Sequence, residues 1–332
     1  MFFWKDKNLR GQFELFDQIL EGEYQNAFSI LKKEFEGKDI PNDYYFLIAK
    51  LLRKTEKFEN SLQIYKNLLT MTNNEVDISI LNREIAKSLI GLGNMEEAVA
   101  ILENILSKED DRNIRRQLAD ILYNSGDYED AAEHYKKLEE NRMVAACYYH
   151  IALKYNIKER SFADYMTKAI KFRDNFRSAK MDLANHYFSL SKNGKGLDYL
   201  IDIVYEELPM SVEDIYYIRE KFITFSSLSD FETIIQKKVK DGTNNPFYYI
   251  YLAEESCLNG NTAAAKEIIG RYLSQNISKS AIRYYFKYIS DEVLSSLYSE
   301  EYFYSCSSCR ASFKNFIPIC SSCGGVDSLT FL

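Results

Sequence analysis

The chain has 332 residues, with 42 Lys plus Arg against 49 Asp plus Glu and a formal net charge of -7. That length points to two units or one elongated array and excludes a small disulfide-stapled scaffold, and the acidic balance gives no bulk attraction to nucleic acid or an anionic membrane. Hydrophobic residues at 46% supply ample core material, while 13 Gly and only 4 Pro argue against long flexible linkers and for mostly helical structure.

The N-terminus carries Phe2, Phe3 and Trp4 beside Lys5, Lys7 and Arg10. The apolar run is too short and its flanking charges wrongly ordered for a secretory signal, so a cytoplasmic protein is expected. These aromatics either pack on the first helical hairpin or give weak peripheral contact with a membrane interface. The longest nearly apolar stretch, Met143 to Leu153, is well short of the roughly 18 residues of a spanning helix, so no transmembrane segment is expected.

A repeat governs the middle of the chain. Gly22-Glu23-Tyr24-Gln25-Asn26-Ala27, Gly93-Asn94-Met95-Glu96-Glu97-Ala98 and Gly126-Asp127-Tyr128-Glu129-Asp130-Ala131 share a Gly, an apolar residue two later and an Ala three after that. The same position recurs at Ser61, Phe162, Gly196, Phe231 and Ala265, with spacings between 31 and 37 residues, which fits eight helical hairpins. A helix pair crosses closely only where side chains are small, and it cannot bury its apolar face alone. Phe162 and Phe231 place a ring at that site and His150 stands at the small position of another helix, so distortion is expected there. Asn245-Pro246 reads as a helix start, with Asn as cap and Pro at the first helical position. The helix expected from about Ser278 to Tyr298 has no partner and reads as a cap on the array.

The pattern resembles the tetratricopeptide repeat over roughly residues 8 to 275. The fold it implies is all-α: a right-handed superhelical solenoid of helical hairpins, followed by a small β zinc ribbon. The expected division is a repeat array over 1–275, a capping helix over 276–299 and the ribbon over 300–332. In this repeat class the concave wall is lined by first-helix positions, here Lys50, Arg53, Arg83, Lys87 and Arg116 early in the chain and Glu213, Glu220 and Glu254 later. A groove basic at one end and acidic at the other suits an extended acidic segment or a C-terminal carboxylate. The competing reading is ordinary solvated charge on helix faces.

Cys306-Ser307-Ser308-Cys309 and Cys320-Ser321-Ser322-Cys323 form two C-x-x-C pairs. Each pair grips one side of a tetrahedral ion, and a short hairpin returns the second pair to the first. Zn2+ is the expected metal, with iron in a rubredoxin-like site as the alternative. Flanking Tyr302, Phe303, Tyr304, Phe313, Phe316, Ile319, Leu329 and Phe331 suit three short strands. Only Arg310 and Lys314 oppose Asp327 in this tail, which disfavours nucleic-acid binding.

The order of parts, together with Tyr304-x-Cys306-x-x-Cys309 and Cys320-x-x-Cys323, resembles the lipopolysaccharide assembly protein B family of bacterial regulators. The resemblance implies that the four cysteines are metal ligands. It also implies an adaptor role, bringing a membrane-bound AAA protease to its client in envelope lipid synthesis. Two features differ: the family's N-terminal membrane helix is not present, and Arg310 and Ser321 stand where Gly and Pro are usual. An enzyme is not expected, because His134, His150 and His186 fall on separate repeats and no phosphate-cradling loop or nucleophile elbow occurs. Cys147 and Cys257 read as small buried hydrophobes. The alternative function is an electron-transfer or metal-sensing module carried on a repeat scaffold.

Overall fold

The computed structural model describes residues 42–209, 211–275, 304–313 and 317–331, with 21, 23, 25, 26, 29 and 30 besides. The expected first hairpin around Ala27, the N-terminal aromatics and the capping helix lie outside the described residues. The chain divides into two compact units, Met1–Glu139 and Glu140–Leu332. The first contains three described hairpins: α1 (Asn42–Lys54) with α2 (Phe58–Met71), α3 (Glu75–Leu92) with α4 (Met95–Lys108), and α5 (Arg112–Ser125) with α6 (Tyr128–Lys137). The second contains four: α7 (Asn141–Ala152) with α8 (Arg160–Phe172), α9 (Arg177–Ser189) with α10 (Asn193–Tyr205), α11 (Val212–Phe225) with α12 (Leu228–Lys240), and α13 (Pro246–Leu258) with α14 (Thr262–Gln275). Three short strands follow: β1 (Tyr304–Cys306), β2 (Ser312–Phe313) and β3 (Leu329–Phe331).

The small-residue crossing is where the sequence pattern becomes packing. Ala49, Ala86 and Ala119 on first helices, and Ser61, Ala98 and Ala131 on second helices, are completely buried. In the first hairpin the approach is close enough for the Ser61 hydroxyl to donate to the Ala49 carbonyl at 2.8 Å. The turns follow their residues: Gly126 ends α5 in the left-handed conformation at φ 89°, while the Asp111 carboxylate starts α5 by accepting from Asn113 and Ile114 N–H. Asn245 caps α13 with Pro246 following, as the sequence implies.

The two rings at the crossing position are accommodated inside regular helices. Phe162 is buried in α8 and stacked on His186, and Phe231 is buried in α12 against Phe222 and Tyr251. In the hairpin that carries both His150 and Phe162, the irregularity lies in the connection, where 153–159 separate α7 from α8. The aromatic load serves the core, as in the second unit, where Tyr248, Tyr249 and Tyr251 are buried together.

At Gly196 the need for a small residue is explicit. A Cβ there would lie 2.5 Å from the Phe188 ring, and that ring stacks on Phe225 with centroids 5.1 Å apart. Gly196→Ala is therefore expected to destabilise the second unit by about 1–2 kcal/mol. Overpacking of roughly 1–3 kcal/mol outweighs the helix-propensity gain of about 0.5–1. A lower urea midpoint at unchanged slope checks it, and an equal or higher midpoint contradicts it.

Candidate metal centre and its attachment to the repeats

β1 lies between β2 and β3, antiparallel to both, with Tyr304 opposite Phe313 and Phe331, and Cys306 opposite Leu329. Cys306 thus leaves the end of β1 into the first C-x-x-C turn. The second turn is framed by an isolated bridge between Ile319 and Val326. The two turns have the same construction. Arg310 N–H donates to the Cys306 carbonyl at 2.8 Å, and Gly324 N–H donates to the Cys320 carbonyl at 2.7 Å. Both donors sit in the left-handed region, at φ 61° for Arg310 and 69° for Gly324. The substitution of Arg for Gly noted in the sequence therefore falls at a backbone position that strains a side chain.

All four sulfur atoms lie within 4.8 Å of one another. Cys306 Sγ is 3.7 Å from Cys323 Sγ, and Cys309 Sγ is 3.7 Å from Cys320 Sγ. A tetrahedral ion with sulfur ligands at about 2.3 Å requires sulfur–sulfur edges of roughly 3.8 Å, so the donor set fits zinc or iron. A disulfide requires about 2.05 Å, and all four cysteines are free. Cys306 and Cys320 are buried, whereas Cys309 and Cys323 are exposed.

The thiols are not equivalent. Burial opposes ionisation of Cys306, but the Ser328 hydroxyl and the backbone of Cys309 and Ser308 bring its pKa down to about 6. Burial and the neighbouring thiols push Cys323 up to about 12. Thiols must lose their protons to bind a cation, so metal binding at such a site is coupled to proton release.

The ribbon is joined to the helices of its own unit by polar contacts that sequence reading missed. The Asp327 carboxylate accepts from Ser178 N–H at 3.1 Å and also from the Ser178 hydroxyl. Ser178 lies in the first turn of α9, whose own N-cap residue is Phe176, with no side-chain cap. Asp327 therefore caps α9 from a distant part of the chain and places a carboxylate at the positive end of its dipole. Arg173 Nη1 donates to the Val326 carbonyl at 3.4 Å, and the His150 ring donates to the Gly324 backbone carbonyl. Beneath these contacts Arg177 is held by Asp214, its Nε at 2.9 Å, and Tyr149 donates to Asp182 at 2.8 Å. Burial raises the Asp182 pKa, against the Tyr149 hydroxyl and Arg177. The pairing of Asp327 with Ser178 spans 149 residues, so no local spacing announces it.

The five candidate groove cations lie in the first unit, where Arg53, Arg83 and Lys87 form ion pairs with carboxylates. Arg53 donates to Glu84 through Nε at 3.2 Å and Nη2 at 3.0 Å, and Lys87 reaches the same carboxylate at 2.6 Å. Arg83 pairs with Glu109 at 3.0 Å and Asp111 at 2.6 Å. Lys50 and Arg116 are exposed. Burial works against charge on Glu84, yet Lys87, Arg53 and Lys50 hold its carboxyl below the ordinary value. Glu213 and Glu220, on α11, belong to the second unit, as does Glu254, which accepts from Tyr216 Oη at 2.7 Å. His134, His150 and His186 lie on separate helices. Among the described residues no helix is long and apolar enough to cross a membrane.

The tetratricopeptide repeat family pattern matches residues 43–75, the first described hairpin and the residues leading into α3. No curated protein matches. Similar solved structures include a tetratricopeptide repeat protein from Parabacteroides merdae, 13% identical, covering 84% of this chain and 97% of that one at TM-score 0.33. Another is the C-terminal part of a repeat-containing protein from Cytophaga hutchinsonii, 16% identical, covering 72% and 98% at TM-score 0.36. A third is the TPR2AB domain of yeast Sti1 in complex with an Hsp90 peptide, 14% identical, covering 80% and 96% at TM-score 0.35.

Asp327→Ala is expected to lower stability by about 1–3 kcal/mol, because a buried hydroxyl and a helix N–H lose their acceptor. Asp327→Asn, which keeps an acceptor, should cost less; equal urea midpoints for all three proteins would contradict the capping role. A depressed carboxylate contributes stability above its unfolded pKa of about 4.3, and that stability is lost as pH falls through the lower folded value. The first unit should accordingly weaken on acidification below about pH 4.3, and Glu84→Gln should flatten that dependence in urea titrations. An unaltered pH profile would remove the assignment.

Proposed function

We propose that the chain is a non-enzymatic protein–protein interaction scaffold whose tail is a structural zinc ribbon. The observation that carries this reading is the combination of stacked helical hairpins with a four-sulfur cluster of tetrahedral dimensions. Hairpin stacks expose a continuous first-helix face along which an extended polypeptide can lie. The array is taken to run over 1–275, with 276–299 as its cap and 300–332 as the ribbon. The protein is taken to be cytoplasmic.

The partner segment we favour is acidic, received by Lys50, Arg53, Arg83, Lys87 and Arg116. Glu84, Glu109 and Asp111 pair with Arg53, Arg83 and Lys87, and Lys50 and Arg116 are exposed on the same unit. The finer role follows the order of parts alone: a regulator similar to lipopolysaccharide assembly protein B, presenting a client to a membrane protease. Cys306, Cys309, Cys320 and Cys323 would hold the metal.

A fluorescein-labelled acidic peptide with a free C-terminus, titrated by anisotropy, tests the groove. Lys50→Glu with Arg116→Glu should weaken binding about tenfold or more, and added salt should weaken it further. Unchanged affinity would remove the groove reading. Elemental analysis separates the alternatives at the tail. One colourless zinc per chain supports the scaffold, whereas a red, reversibly reducible iron protein would favour electron transfer.

A further inference from the structure

Exposed apolar residues in the second unit are not scattered. Each hairpin turns at one edge, through 153–159, 190–192, 226–227 and 259–261. Leu153, Tyr155 and Ile157 are exposed in the first of these turns and Leu190 in the second. Ile223 and Phe225 flank the third, and Leu258, 78% exposed, flanks the fourth. Among the described residues, the one other exposed large hydrophobic in this unit is Tyr205.

Charge is sorted the same way. Lys154, Lys158, Arg160, Lys192 and Lys195 are exposed in these turns or at the helix starts they lead into, against Glu159, Asp230 and Asp164, which pairs with Arg160. The opposite edge, where one hairpin passes to the next, carries exposed Asp174, Glu206, Glu207 and Asp241, but Glu206 and Glu207 pair with Lys180 and Lys238 and exposed Lys171 and Lys240 stand beside them, so charge there is mixed. Arg173 and Ser178, which take contacts from the ribbon, belong to that second edge. The turns at the basic edge are fixed side by side: the His186 ring bonds to the Ile157 carbonyl, and Phe188 stacks on Phe225.

We propose that this edge is a peripheral docking surface for an anionic lipid bilayer. Lysines alternate with apolar residues, as in Leu153-Lys154-Tyr155 and Ile157-Lys158, so rings and aliphatic side chains can enter the interface while ammonium groups reach lipid phosphates. The apolar residues lie on successive turns, with Tyr155 also stacked on Tyr165 and Phe225 on Phe188, which suits a deformable surface that needs no shape complementarity. The overall acidity of the chain does not oppose this, because attraction at a membrane is set by charge within a Debye length of the surface. The surface is distinct from Phe2, Phe3 and Trp4 and does not depend on the scaffold reading.

The test is flotation of the full chain with phosphatidylcholine vesicles, with and without about one-third phosphatidylglycerol. The protein should float with the anionic vesicles and sink with the neutral ones. Leu153→Ser with Ile157→Ser and Ile223→Ser should cut recovery about fivefold or more, and so should Lys154→Glu with Lys158→Glu and Lys192→Glu. Tyr205→Ser should float like the parent, and circular dichroism should show all variants folded. Parent protein that sinks with anionic vesicles overturns the proposal. So do edge variants that float like the parent, or binding abolished by removing residues 1–10 alone. A protein partner lost by the Leu153/Ile157/Ile223 variant, from a parent that ignores vesicles, would make the edge a protein interface and likewise overturn it.

Discussion

The contact between the Asp327 carboxylate and the first turn of α9 turns a cysteine-rich tail into part of a helical repeat unit. Helices need their leading N–H groups satisfied, and Phe176 at the N-cap of α9 offers no acceptor. Asp327 supplies one, but only if the loop after Cys323 is held in place. That loop is shaped by the second cysteine turn, with Cys320 N–H bonded to the Gly325 carbonyl at 2.9 Å and Asp327 N–H to the Pro318 carbonyl at 2.7 Å. The same short segment therefore positions two sulfur atoms and a helix cap. A metal that orders the sulfurs would also order the cap.

The repeat was legible because its cause is local. Ala98 and Ala131 recur at their spacing since two helices approach there, and the structure buries each completely. The C-x-x-C pairs were legible for the same reason: a chelating turn needs its ligands three positions apart. Distortion was expected where rings replace small residues, but Phe162 and Phe231 fit regular helices because His186, Phe222 and Tyr251 form matching aromatic surroundings. What the sequence hides are pairings across long separations, such as Arg177 with Asp214 and Ser178 with Asp327. The candidate groove shows the same limit. Its cations are readable from register, but their counter-ions Glu84, Glu109 and Asp111 emerge only once neighbouring hairpins are in place.

In the second unit, then, the hairpins present edges of different character. One carries mixed, paired charge and includes helix ends that receive the ribbon; the other is apolar with an excess of basic residues. Net charge of -7 conceals this sorting, because composition averages over surfaces that a partner meets separately.

Hydrogen exchange across residues 177–183, measured on metal-loaded protein and after treatment with a strong chelator, probes the coupling between tail and repeat most directly. The account predicts that metal removal accelerates exchange in 304–331 and in 177–183 together, about tenfold or more, while 112–125 is unchanged. Acceleration confined to 304–331, with the start of α9 as protected as before, would contradict it.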